Sequence, residues 1–427
     1  MLTFIFSPIY FQGMSEVRRM RDAELEDYMR ITLDSYPAMF TDVTEERRRG
    51  WVEQMKAAQR DDDSVNYYGC YRGGEMVGGM RHHDFKMTLY GYPILVGGVG
   101  NVCVDPLHRK MHVSKELMEY FHRHYRGRGA KLVALYPFRS DYYVKMGYGY
   151  GRKMNQYRFR PEDLPRGPRD KVSYLGESDV EALTACFNRY AHGTHGMVEK
   201  RKSYFERFIH RFKVVGYRDG CEVKGFVAFG YKKLMEDHEL LQNLEIHTLV
   251  YETPKALRGL LSFLGVQFDQ VDRVVLNTVD DDLHFVPRDP RDGVPHMFFT
   301  SQETNVQGVG IMYRVIDTRG IWEELAGHGF NGVSLKTKLT VRDSFLPEND
   351  GAVVVHFKDG KPVVVDDGDY DVGVILDVAW FSSLIMGVVD FRKLWMMGRA
   401  EVSDEGYVDA LDTLFHAQRR PVTIEEF

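Results

Sequence analysis

The stretch from Val102 to Gly149, VCVDPLHRKMHVSKELMEYFHRHYRGRGAKLVALYPFRSDYYVKMGYG, constrains this chain more than any other. Its apolar opening, Val102-Cys103-Val104, reads as a strand that Asp105-Pro106 ends, and the basic patch His108-Arg109-Lys110 follows. From Val113 to about Tyr125, the residues Leu117, Met118, Phe121 and Tyr125 fall on one face of a helix. Gly127 and Gly129 lead into a second strand, Lys131 to Leu135; a short helix and the turn Lys145-Met146-Gly147-Tyr148-Gly149 close the unit. Strand, basic loop and helix together are one way to hold a pyrophosphate. The free N–H groups of the helix's first turn point at the anion, the helix dipole adds partial positive charge, and Arg109 and Lys110 bring full charges. On spacing alone, a strand–loop–helix that binds nothing fits equally well.

The residues themselves carry a resemblance. The loop Arg109-Lys110-Met111-His112-Val113-Ser114 is similar to the Arg/Gln-x-x-Gly-x-Gly/Ala loop of the GNAT acetyltransferases. The order VxVxPxHR, helix, ALYP, YxxxGYG resembles the Eis (enhanced intracellular survival) branch of that family, over the whole chain from Met14 to Phe427. The resemblance implies acetyl-CoA as cosubstrate, with Val102, Cys103 and Val104 offering backbone to pantetheine. It implies that Arg109, Lys110, Met111, His112, Val113, Ser114 and Lys115 wrap the pyrophosphate, and that Phe138 and Arg139 meet the cofactor again. One position departs: the family carries Gly where this chain has His112, and Gly lets backbone approach phosphate closely. Two outcomes stay open, an imidazole that helps to bind phosphate or a side chain that blocks it.

Composition narrows the class. The chain has 427 residues, 44% hydrophobic and 13% aromatic, enough for two to four domains with sizeable cores. Its net charge of −6, with both signs mixed along the chain, argues against a nucleic-acid partner and suits a cationic substrate. Cys70, Cys103, Cys186 and Cys221 form no CxxC pair, so they read as reduced thiols of a cytoplasmic protein, with no metal site. No run of about eighteen apolar residues exists, and no membrane span is expected. The first residues lack a signal-peptide pattern. Tyr10-Phe11-Gln12-Gly13 resembles a protease-cleaved tag remnant before a natural start at Met14, so residues 1–13 stand outside the fold argument.

Helices are predicted over Arg18–Tyr36 and Glu45–Arg60, with Asp34 and Tyr36 placed by the resemblance near the acceptor pocket. Tyr67 to Met80 reads as a hairpin turning at Gly73-Gly74, and Ile94 to Val104 as the next strand. The pattern Tyr-Arg-x-Gly-x-x-Val-x-Gly at residues 71–79 recurs at 217–225, which suggests a duplicated fold. Helices at about 178–190 and 198–212 and a strand at Glu245–Tyr251 support the repeat. The second copy has Glu252-Thr253-Pro254-Lys255-Ala256-Leu257-Arg258 in place of the basic loop, so no cofactor is expected there. Beyond Gly310 come a strand to Asp317, a short helix from Thr318, strands at Val333–Val341, Ala352–Lys358 and Lys361–Asp366, and a helix over Asp377–Gly387. This pattern resembles a sterol-carrier-protein-like domain, whose stripe Trp380, Leu384, Val388 reads as core. The expected architecture is α+β: tandem GNAT (acyl-CoA N-acyltransferase) folds over 14–160 and 161–308, then the sterol-carrier-protein-like domain over 309–427.

The resemblance also assigns the chemistry. In the YxxxGYG turn the tyrosine four residues before the glycine is Tyr143, implied as the acid that protonates the leaving sulfur. The terminal Phe427 is implied to fold back, its α-carboxylate acting as base, directly or through water, and drawing in a cationic acceptor. The implied acceptors are small-molecule amines (aminoglycosides, polyamines) or lysine side chains, and the implied assembly is a hexamer. Two other readings remain: a Fem-type aminoacyl transferase, which the acidic charge and third domain count against, and a GNAT-fold binding protein impaired by His112.

Overall fold

The structure is a computed structural model. It describes residues 15–235, 240–294, 300–366, 368–424 and 427, so the readings made of residues 1–13 and of Met14 lie outside it. The chain forms two compact units. One holds the residues up to Asp84, Val96–Leu135 and Phe427; the other holds Phe85–Leu95 and Tyr136–Glu426.

The first unit runs β1 (Glu16–Arg19), α1 (Leu25–Ser35), α2 (Glu45–Asp61), β2 (Val65–Arg72), β3 (Glu75–Leu89), β4 (Tyr92–Val104), α3 (Val113–Gly127) and β5 (Leu132–Leu135), the outer ends of β3 and β4 belonging to the second unit. The strands lie in the order β1-β2-β3-β4-β5. The helix expected from Arg18 begins only at Leu25. Residues 16–19 are an antiparallel edge strand on β2, and the Glu24 carboxylate closes the turn that follows, binding the Arg18 guanidinium at 3.0 and 2.7 Å and the Arg21 N–H at 2.7 Å. Gly73 and Gly74, at φ 57° and 88°, make the expected two-residue turn between β2 and β3. α3 buries Val113, Leu117, Met118, Phe121 and Tyr125, the face expected from their spacing. The core around α1 gathers Leu25, Tyr28, Ile31, Tyr67, Tyr71 and Cys103.

The second unit begins with α4 (Ser140–Val144), β6 (Gly149–Tyr150), β7 (Lys153–Phe159), β8 (Val172–Tyr174), α5 (Val180–His192) and α6 (Lys202–Arg211). It continues through β9 (Lys213–Asp219), β10 (Glu222–Lys233), β11 (Gln242–Tyr251), α7 (Pro254–Gly265), β12 (Val274–Thr278) and β13 (Asn305–Val309). These build a sheet in the order β13-β7-β12-β11-β10-β9-β8. The two hairpins that share the repeated pattern correspond. Both close on two residues, and both carry a bulge on the strand that leaves the turn, at Val77 in one and at Lys224 in the other. The second turn, Gly220-Cys221, comes one residue later than the matched pattern puts it.

The last stretch comprises β14 (Met312–Val315), α8 (Ile321–Glu324), β15 (Leu335–Arg342), β16 (Gly351–Lys358), β17 (Lys361–Val365), β18 (Val372–Asp377), α9 (Val378–Ile385), α10 (Phe391–Met396), β19 (Ala400–Val402) and α11 (Val408–Phe415). Its sheet has the order β17-β16-β15-β18-β19. β14 stands apart from that sheet and pairs antiparallel with β6, Met312 opposite Tyr150. The Asp377 side chain caps α9 by accepting the Ala379 N–H at 2.8 Å. Of the stripe expected as core, Leu384 is buried; Trp380 and Val388 are half-buried, while Phe381 and Ile385 fill the interior.

Candidate active site

The loop between β4 and α3 is left-handed at two non-glycine residues. Lys110 and His112 both have φ 64°, and His112 is the residue before the first turn of α3, at ψ 6°. Backbone turns that enter the left-handed region are one way to aim neighbouring N–H groups at an anion. His112, which the resemblance matches to the family's glycine, is thus in a conformation that glycine adopts more readily. Arg109, Lys110, Met111, His112 and Lys115 are exposed, Ser114 is half-exposed, and Val113 is buried as the helix's first anchor. The Asp105 carboxylate shapes the loop's entry. It accepts the Leu107 N–H at 3.0 Å and lies 3.2 Å from Arg30, contacts that hold its carboxyl below the usual range against the opposing effect of burial.

β4 and β5 pair in parallel from Val96 opposite Leu132 to Val99 opposite Leu135. β5 stops there and β4 runs on to Val104, so Gly100 to Val104 extend past the last pair. Asn101, at φ 49°, bends β4 within this overhang. Three side chains of α1 and its end hold the overhang. Tyr28 donates to the Asn101 carbonyl at 2.8 Å, Tyr36 to the Val102 carbonyl at 2.5 Å, and Ser35 to the Val104 carbonyl at 3.1 Å. Burial, then the Cys103 thiol, push the Tyr36 phenol up to about 12, so it is a fixed donor at neutral pH. Tyr36 thus braces β4, while Asp34 sits 3.5 Å from Arg30 on the exposed side of α1. Cys103 is fully buried, and burial pushes its thiol up to about 12. A basic, left-handed loop at a helix start, preceded by a strand that outruns its neighbour β5, fits a nucleotide diphosphate carrying an extended arm.

Phe427 lies on β4 within the first unit. A Cβ built on Gly100 would come 2.9 Å from the Phe427 main-chain carbon, 3.1 Å from its oxygen and 3.3 Å from Arg81 Nη2. Only a glycine leaves room there for the final residue and the guanidinium together. The Phe427 ring stands edge-on to His83, with centroids 5.5 Å apart. Arg81 and His83 alternate along β3 and so share a face.

Tyr143 belongs to the second unit. It is buried in α4, its ring 5.8 Å from Phe138, 5.4 Å from Tyr142 and 5.9 Å from Tyr148. Its carbonyl accepts the N–H groups of Met146 at 2.9 Å and Tyr148 at 3.1 Å, which closes the turn. Gly147 is left-handed, at φ 80°, and a Cβ there would collide with the Arg314 guanidinium. Phe138 is exposed, and Arg139 pairs with Asp141 at 2.5 Å.

The structure thus groups Val102–Val104, Arg109–Lys115 and Phe427 in one unit, and Phe138, Arg139 and Tyr143 in the other. Sequence reasoning missed Tyr28, Ser35, Arg81 and Arg314. Tyr28 and Ser35 were findable as the β4-facing side of α1, two turns apart; Arg81 and Arg314 carry no local signal.

Three family models match the chain, and the first spans residues of both units. An acetyltransferase (GNAT) domain model matches residues 16–151, a second acetyltransferase (GNAT) domain model matches 196–315, and a sterol carrier protein domain model matches 324–424. The chain carries two GNAT domains and one sterol carrier protein domain. By these domains it is an acyltransferase, and its fold class is the expected α+β tandem. Solved structures share the fold over nearly the full length. A GCN5-related N-acetyltransferase from Anabaena variabilis is 16% identical, covering 97% of this chain and 100% of that one, with a TM-score of 0.77. One from Kribbella flavida is 19% identical, with coverage of 97% and 98% and a TM-score of 0.76. Eis1 from Mycobacterium abscessus is 20% identical, with coverage of 96% and 100% and a TM-score of 0.74. No curated protein matches the chain. Among the described residues, no helix is long and apolar enough to cross a membrane.

Proposed function

We propose that the chain is an Eis-like, acetyl-CoA-dependent N-acetyltransferase acting on primary amines of the aminoglycoside, polyamine or lysine type. The observation that carries this reading is the left-handed turn at Lys110 and His112 before α3, beside the length of β4 that runs on past the end of β5. On this reading Arg109–Lys115 hold the pyrophosphate, Val102–Val104 pair with pantetheine, and Phe138 and Arg139 make further contacts. Acetyl-CoA supplies the acetyl thioester. The proposed domains are 14–160 with the cofactor, 161–308 without it, and 309–427. A hexameric, cytoplasmic enzyme follows from the same likeness.

An alkylammonium of pKa near 10.4 is neutral only about once in 2,500 molecules at pH 7, so its proton must be taken. The Phe427 carboxylate takes it through water. Its charge also draws in the cationic acceptor. Tyr143 gives its phenolic proton to the departing sulfur. Cys103, the thiol nearest the cofactor strand, stays protonated at neutral pH because burial raises it, which favours direct transfer over an acylated cysteine.

Changing Tyr143 to Phe is expected to lower turnover about tenfold or more while leaving acetyl-CoA binding intact. Deleting Phe427 is expected to do the same. Absence of acetyl-CoA binding at high micromolar concentration in calorimetry would sink the enzyme reading. Parental turnover without Phe427 would remove the carboxylate from the mechanism.

A further inference from the structure

Arg314 is wholly buried on β14 and paired with an equally buried Asp343 at 2.7 Å. Asp343 is fully engaged. One oxygen accepts the N–H groups of Phe345 at 3.1 Å and Leu346 at 2.9 Å, and the other accepts the Asn349 amide at 2.9 Å. The same amide nitrogen bonds the Val315 carbonyl at 3.0 Å, tying the loop after β15 to β14. The second arm of the guanidinium bonds the Met146 carbonyl. Arg314 Nε is buried without a hydrogen-bond partner.

Such a pair is a poor stability device. Dehydrating two charges costs about as much as their attraction returns, and apolar residues of equal volume often serve as well or better. The orphaned Nε makes this pair worse still. What the pair does specify is geometry. Met146 gives its N–H to the Tyr143 carbonyl, and its own carbonyl rests on Arg314. Gly147 presents a hydrogen where any side chain would strike that guanidinium. The floor of the turn that orients Tyr143 is therefore Arg314, and the residue that fixes Arg314 lies within the stretch matched as sterol carrier protein domain.

We propose that Arg314, held by Asp343 and Asn349, is a positioning residue for Tyr143, and that through it the third domain takes part in acetyl transfer. This rests on Tyr143 as the acid. A displacement of about 1 Å at such a group can cost up to about a hundredfold in rate.

The test compares Asp343→Asn, the double change Arg314→Met with Asp343→Leu, and Tyr143→Phe, alone and combined, by steady-state turnover and acetyl-CoA titration. Asp343→Asn should lower kcat about tenfold or more with the acetyl-CoA Kd unchanged, and should cost nothing further in the Tyr143→Phe background. The double change, which restores an uncharged interior if Asp343→Asn fails to fold, should melt near the parent yet turn over slowly. A folded double variant with parental kcat overturns the proposal, as does an Asp343→Asn cost that persists undiminished in Tyr143→Phe. Parental turnover in Tyr143→Phe alone overturns the acid assignment and the proposal with it, so the two failures are told apart.

Discussion

His112 holds a backbone conformation that glycine would hold at less cost. At φ 64° an L-residue crowds its own carbonyl, a penalty of roughly 1 kcal/mol that glycine escapes. His112→Gly is therefore expected to stabilise the fold by up to about 1 kcal/mol, less what glycine's extra freedom in the unfolded chain takes back. It is also expected to tighten acetyl-CoA, because the exposed imidazole leaves the rim of the loop. Urea unfolding and calorimetric titration check both halves; weaker binding in the glycine variant would mean that the imidazole holds phosphate instead of obstructing it. At this scale the loop was legible because a basic run before a helix declares itself locally. The conformation of Lys110 was not, since nothing in its type asks for a positive φ. Arg81 and Arg314 were illegible for a different reason: their partners lie far along the chain, and an arginine in a strand reads as surface until its neighbours are known.

The tip of the β3–β4 hairpin makes a stack that ties three elements of the second unit. The Tyr90 ring lies 4.1 Å from His195 and 4.0 Å from His328, nearly parallel to both. The Tyr90 hydroxyl donates to the Ile385 carbonyl at 2.9 Å, at the end of α9. Burial, then His195 and Lys361, bring His328 down to about 4. His195 is lowered too, by burial first, against the carbonyls of Met386 and Thr88 that favour its protonated form. The folded protein thus keeps His328 neutral between about 4 and its ordinary value of 6.5, while the unfolded chain binds a proton there. Stability must fall as pH drops through that window. His328→Phe keeps the stack and cannot titrate, so its melting temperature should decline less between pH 7 and 4.5; equal declines would clear His328 of the effect. Elements were more legible than their sheets. Gly73-Gly74 announced its hairpin because turn chemistry is local. The edge strand Glu16–Arg19 hid inside a helical pattern because a four-residue strand has too little period to read. The pairing of β14 with β6 joins residues more than a hundred and fifty apart, which no local rule reaches.

At the scale of the whole molecule, two domains of one family raise the question of how many cofactors a chain binds. The second copy has the sheet and the crossing helix but not the cradle. Between β11 and α7 it has only Glu252 and Thr253. The Thr253 hydroxyl takes the Ala256 N–H at 3.2 Å, and Pro254, first in the helix, has no N–H to give. The Glu252 carboxylate sits at that helix start, 2.7 Å from Arg189. An anion arriving there meets a carboxylate already paired with Arg189, one occupied donor and one missing donor, where the first copy offers Arg109, Lys110 and a left-handed turn. Acetyl-CoA should therefore bind one equivalent per chain. Arg109→Ala with Lys110→Ala should abolish that binding, together with the stabilisation of about 2.7 kcal/mol expected when free ligand exceeds Kd a hundredfold. Calorimetric titration reads the stoichiometry directly. Two equivalents, or one that survives the paired substitution, would place the cofactor on the second copy and undo the assignment of Arg109 and Lys110.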